Sequence, residues 1–173
     1  AGCSGDDLLG LPDDEDGVAS FPAVPGTYSV TASLPNTSGT PGSATVTDAT
    51  TTNVGLCLNG LPVVVAGTAA LVAESALPPN GAMDPGETVT VDIPVTNTGL
   101  ANSTNLVGTL AATGGVTSPG APQSFGVVTV AGPAVTRPFT FTVDPALACG
   151  GTVTMSIAFA DGANSFGTRT FAF

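Results

Sequence analysis

Carboxylates are the one chemical resource this chain holds in quantity, with 13 Asp and Glu among 173 residues. Asn80, Asp84 and Glu87 fall within one short loop, and hard cations such as calcium take several carboxylate and amide oxygens from a single loop of this kind. The loop is therefore a candidate calcium site, although Asp84-Pro85-Gly86 is also good turn chemistry, proline fixing one dihedral and glycine permitting a positive one. A second cluster, Asp13-Asp14-Glu15-Asp16-Gly17 with Asp6 and Asp7 upstream, lacks the alternating spacing that turns successive ligands inward. It reads as a solvated turn before a strand.

Catalysis has little to work with. The chain has no histidine, lysine or tryptophan, and its two basic groups are Arg137 and Arg169. A nucleophilic Ser or Cys needs an adjacent base, and none of the usual ones exists here. A carboxylate pair can hydrolyse glycosides, but with Trp absent and Tyr28 placed in a core motif there is no aromatic platform for a sugar. The expectation is a protein that is not an enzyme, with no catalytic residues and no cofactor beyond the possible calcium.

Cys3, Cys57 and Cys149 match no zinc or redox spacing, and a disulfide with one thiol left over is the plainer reading in a secreted chain. Cys3 with Cys57 would staple the first part of the chain, and Cys57 with Cys149 would tie the two parts together; the first pairing is preferred. Leu34-Pro35-Asn36-Thr37-Ser38 nearly matches a cell-wall sorting signal but ends in serine and has no apolar tail after it, so it reads as turn sequence.

A net charge of −11 gives no counter-charge to nucleic acid or to an anionic membrane. No stretch reaches the roughly 20 apolar residues of a membrane span, the nearest being Leu61 to Ala73, which Pro62 and Gly67 interrupt. The small residue Ala1 and the Thr-rich, lysine-free β composition point to a secreted or cell-surface protein of bacterial type.

The elements that would carry these residues are strands. In Thr88 to Thr96 the residues Val89, Val91, Ile93 and Val95 fall on one face and Thr90, Asp92 and Pro94 on the other, the period-two pattern of a half-buried strand. Val153, Met155, Ile157 and Phe159 repeat it, as do Phe139, Phe141 and Val143, and no segment holds a helical period. Seven strands are predicted, over 68–74, 86–96, 103–112, 124–130, 135–143, 151–160 and 165–173. Short strands at this spacing fit an immunoglobulin-like sandwich, without the Cys-Trp-Cys signature of antibody domains. The closing segment Thr168 to Phe173 ends on aromatics like the last strand of outer-membrane barrels and some pilins; 5% aromatics cannot supply barrel girdles, so it is assigned to the sandwich. Arg169 within it is expected to be an outward solubility charge or the partner of a carboxylate.

Two resemblances refine this. Residues 80–87, Asn-Gly-Ala-Met-Asp-Pro-Gly-Glu, lead into an alternating strand, and Pro138-Phe139-Thr140-Phe141-Thr142-Val143 is followed by Cys149-Gly150. This order resembles the immunoglobulin-like, CARDB-type accessory modules of secreted bacterial proteins, which implies a stalk, spacer or adhesion role. Asp16-Gly17-Val18-Ala19-Ser20-Phe21-Pro22-Ala23-Val24-Pro25-Gly26-Thr27-Tyr28-Ser29-Val30 resembles the core of CNA-B and carboxypeptidase-regulatory-like (prealbumin-like) sandwiches, with further strands expected at 43–48 and 52–58. Only Ala1 to Pro12 is available for the strands this family carries ahead of the motif, and without lysine the isopeptide bond of some relatives cannot form.

The expected organisation is all-β, with a small CNA-B-like domain over 1–62, a linker over 63–67 and a seven-stranded immunoglobulin-like domain over 68–173. The expected function is that of a non-catalytic extracellular structural protein, a pilus-like or surface-fibre subunit that self-associates head to tail by strand addition. Ala1 to Pro12 and Leu61 to Ala73 are the two candidate donor strands. The competing readings are an adhesion module that binds calcium, carbohydrate or a host surface protein, and a non-catalytic accessory region of a larger secreted hydrolase.

Overall fold

The computed structural model describes residues 25–31, 35–39, 42–47 and 58–173, and every regular element among them is a β-strand. The chain divides into two compact units, Ala1–Asn59 and Gly60–Phe173.

In the first unit, β1 (Gly26–Val30) pairs antiparallel with β3 (Gly42–Val46), Gly26 facing Val46 and Val30 facing Gly42. The glycine, tyrosine and valine of the Pro-Gly-x-Tyr-x-Val motif thus lie on one strand. β2 (Thr37–Gly39) pairs with β4 (Leu58–Gly60). The sorting-signal look-alike runs through the turn Pro35-Asn36, where Asn36 adopts φ 60°, and into β2. Asparagine is among the few side chains that tolerate this left-handed region. The Asp13–Asp16 run, Ala1 to Pro12, Cys3 and Cys57 lie outside the described residues.

The second unit is built from β5 (Val64–Ala66), β6 (Ala70–Glu74), β7 (Thr88–Asn97), β8 (Leu106–Leu110), β9 (Val116–Thr117), β10 (Gln123–Gly126), β11 (Val135–Val143), β12 (Thr154–Asp161) and β13 (Asn164–Ala172). One sheet runs β5-β7-β11-β9, with β6 alongside β5 on the same edge of β7; the other runs β10-β8-β12-β13. Each of the seven segments predicted from residue 68 onward overlaps one of these strands. The segment 63–67, expected to be a linker, contains β5, and its Val64 is buried in the core. Leu61 to Ala73, expected to be short of local partners, supplies both β5 and β6 to β7. Its backbone is committed to its own sheet.

Alternation explains the packing. Val89, Val91, Ile93 and Val95 of β7, Phe139, Phe141 and Val143 of β11, and Met155, Ile157 and Phe159 of β12 are all buried in one apolar cluster to which both sheets contribute. Each such side chain is worth roughly 1.5–3 kcal/mol when fully withdrawn from water. Phe125 of β10 meets Phe139 of the opposite sheet at 6.3 Å between ring centroids and Phe159 at 5.8 Å, both tilted. The rings close over Gly108 of β8, where an added Cβ would stand 3.0 Å from Phe139, 3.2 Å from Phe125 and 3.2 Å from Phe159. On the outward face of β7 and β11, Thr88 and Thr142 face each other with hydroxyls 3.3 Å apart, and Thr90 and Thr140 do so at 2.9 Å. Cross-strand hydroxyl pairs of this kind stabilise a sheet from its wet side.

Candidate functional site

Three ionisable or amide side chains of the second unit break the apolar pattern in the same way. Glu87 continues the buried parity of Val89, Val91, Ile93 and Val95 on one side, Asn97 continues it on the other, and Asp161 continues that of Met155, Ile157 and Phe159. All three are buried, at 5%, 1% and 6% exposure. A polar group withdrawn from water must find partners, and each of these finds them in the loops at the ends of its strand.

Glu87 organises the loop proposed for calcium. Its Oε1 accepts the Ala76 N–H at 2.9 Å and its Oε2 the Asp84 N–H at 3.2 Å. Asn80 donates through Nδ2 to Asp84 Oδ2 at 2.8 Å, and its Oδ1 accepts the Ala82 N–H at 2.8 Å. The structure therefore does bring Asn80, Asp84 and Glu87 together, joined by hydrogen bonds within the loop. Glu74, which sequence reasoning passed over, enters the same region and accepts the Gly81 N–H through Oε2 at 3.2 Å. Among the described residues, no group of three or more acidic or thiol side chains is arranged to hold a metal ion.

Asn97 uses both ends of its amide. Oδ1 accepts from Val63 and Gly99, each at 3.0 Å, while Nδ2 donates to the carbonyls of Ala101 at 2.7 Å and Val128 at 3.0 Å. One side chain thus ties the approach to β5, the turn after β7 and the segment after β10. Ser103 adds to this junction, its hydroxyl accepting the Val128 N–H at 2.7 Å and donating to the Gly126 carbonyl at 3.2 Å.

Asp161 accepts three hydrogen bonds: Thr104 N–H at 2.6 Å, Thr104 Oγ1–H at 2.6 Å and Asn105 N–H at 2.8 Å. Burial pushes its carboxyl up, but the Thr104 hydroxyl and the backbone amides of Thr104 and Asn105 outweigh that and hold it below the ordinary carboxylate value. It is an anchored carboxylate, saturated by the loop that feeds β8.

The two cations are turned to backbone. Arg137 donates through Nε to the Ser124 carbonyl of β10 at 2.7 Å, and Arg169 through Nη1 to the Thr168 carbonyl at 3.3 Å. Cys149 is exposed with a free thiol. No helix among the described residues is long and apolar enough to cross a membrane. The signal that would have found Asn97 and Asp161 in the sequence is parity: a polar residue in phase with the buried face at a strand end. No protein-family model matches the chain, and a search of curated proteins finds no similar one.

Proposed function

We propose that the protein is a non-catalytic extracellular structural subunit, two β-sandwich modules in tandem that assemble head to tail into a filament or surface fibre. The second unit is read as an immunoglobulin-like module and the first as a CNA-B-like one. The observation that carries this reading is the use made of Glu87, Asn97, Ser103 and Asp161. These four, the buried polar side chains among the described residues, are engaged by groups of their own fold and act as staples for loops. The absence of histidine and lysine from the sequence supports the same conclusion.

With Leu61 to Ala73 paired to β7, the donor strand for a neighbouring copy falls to Ala1 to Pro12. A heterologous contact of this kind propagates without closing. Size-exclusion chromatography and negative-stain microscopy test it: the full chain should form polymers, and a chain lacking Ala1 to Pro12 should not, while its second unit stays folded. A full chain that remains monomeric at high concentration overturns the filament reading.

A further inference from the structure

We propose that the edge of β13 left unpaired among the described residues pairs, antiparallel and about a two-fold axis, with β13 of a second copy of this chain. This contact belongs to the second unit alone and is independent of any head-to-tail contact made through the first.

Sheet edges invite pairing, and folds blunt them by making them short, bulged or covered. Among the described residues of the second unit, the other edges are treated in this way. β9 is two residues long and β5 three. The stretch of β11 that β9 leaves uncovered carries Pro138, which has no N–H, and Thr140, whose carbonyl accepts Gly120 N–H at 2.8 Å. β6 shifts register between Leu71 and Ala73. β10 is four residues long and shifts register after Ser124. β13 is nine residues long and stands at the end of its sheet. Its irregularity opposite Ala158 and Ala160 leaves a regular run from Thr168 to Ala172.

The direction of its backbone groups is settled by the ladder. Val153 and Phe173 exchange both hydrogen bonds, so Phe171 with Met155 and Arg169 with Ile157 are the next bonded pairs toward β12. Thr168, Thr170 and Ala172 lie between them and turn N–H and C=O away from β12. The Ser156 carbonyl, opposite Thr170, confirms this phase by accepting Ala111 N–H on the far side.

A second copy fits this edge in register and in charge. Antiparallel pairing centred on Thr170 sets Thr168 against Ala172 of the other copy and joins the outward groups in about six hydrogen bonds. The Thr168 carbonyl takes the new amide on its second lone pair, beside Arg169 Nη1 at 3.3 Å. Arg169 then stands opposite Phe171 of the other copy instead of a second guanidinium, an arrangement that suits a cation beside an aromatic ring. Two chains of net charge −11 repel wherever acids meet. In β8, β10, β12 and β13 the single acid is Asp161, and it is buried. This is the sheet on which two acidic molecules can approach.

Sedimentation velocity on the full chain tests the proposal, with Thr170→Pro as the decisive variant. Proline there removes an outward N–H and no bond to β12, so the dimer dissociation constant should rise at least about tenfold with the β-type circular dichroism spectrum retained. If Thr170→Pro fails to fold, Thr170→Cys in a Cys149→Ser background decides instead. Two bonded residues facing each other across the axis lie at about 5.5 Å between Cα atoms, within disulfide range. Mild oxidation should then give a covalent dimer linked through position 170. A wild-type chain that shows no dimer at high concentration, a dimer indifferent to Thr170→Pro, or a β13 edge protected from hydrogen exchange in the monomer overturns the proposal. Polymers that persist in Thr170→Pro, or dimers that persist without Ala1 to Pro12, separate this contact from the filament contact.

Discussion

Thr104 gives Asp161 both of its hydrogens, backbone and hydroxyl, each at 2.6 Å and across a sequence separation of 57 residues. The folded-state carboxyl is held below its ordinary value, so between the folded and unfolded values the unfolded chain binds more protons. Stability from this group is fully present above the unfolded value, about 3.9, and is lost as pH falls through the folded one. Urea unfolding from pH 7 to pH 2 should show this acid loss, and Asp161→Asn should flatten it. Hydrogen bonds to a charged group are worth roughly 1.5–3 kcal/mol, so Asp161→Ala should cost at least that at neutral pH and much less near pH 2.

Asn97→Ala should be among the most damaging single changes in the second unit, at roughly 3 kcal/mol, because it strands buried N–H and C=O groups in three loops at once. Asn97→Asp should do nearly as much harm. It keeps the acceptor for Val63 and Gly99 but sets a carboxylate against the carbonyls of Ala101 and Val128. Equilibrium denaturation of both variants checks the comparison, and an Asp variant as stable as wild type would contradict this account of the amide.

For the loop at residues 80–87, Glu87→Gln should lower stability by about 1–2 kcal/mol, since one of the two amides that point at the carboxylate would meet an NH2 group instead. The loss should be the same with millimolar calcium as with a chelator. A melting temperature that rises with calcium in the wild type and not in the variant would support the cation reading, because a ligand bound only by the folded state must raise it.

Gly108→Ala should destabilise by about 1 kcal/mol net. Removing a glycine from a strand restricts the unfolded chain, a gain of about 0.4–1 kcal/mol, but the added methyl must displace one of three packed rings, and overpacking costs typically 1–3 kcal/mol. Thermal unfolding of the variant measures which effect wins.

Much of the second unit was legible because its strands are long and strictly alternating. The predicted 135–143 and the observed Val135–Val143 coincide, and 86–96 differs from Thr88–Asn97 only at its ends. β5 and β9 were missed because two or three residues cannot display a period. In the candidate loop, residue types located Asn80, Asp84 and Glu87 but not the orientation of their oxygens. Chemistry on the page of a sequence looks the same whether a carboxylate faces an ion or a backbone amide. Asn97 and Asp161 escaped for a related reason: at a strand end, a polar residue is read as the start of a turn, and only its parity shows that it points inward.

Gly108 and the three rings above it also restrict how this protein can change over generations. Position 108 and positions 125, 139 and 159 share one volume, so an enlargement at the first is tolerable only after a reduction at one of the others. Related chains should therefore show a trade: glycine at 108 with phenylalanine at 125, or a larger residue at 108 with a smaller one there. The order of the two steps is also constrained, because shrinking the ring first leaves a cavity, whereas enlarging the glycine first forces a clash through both sheets.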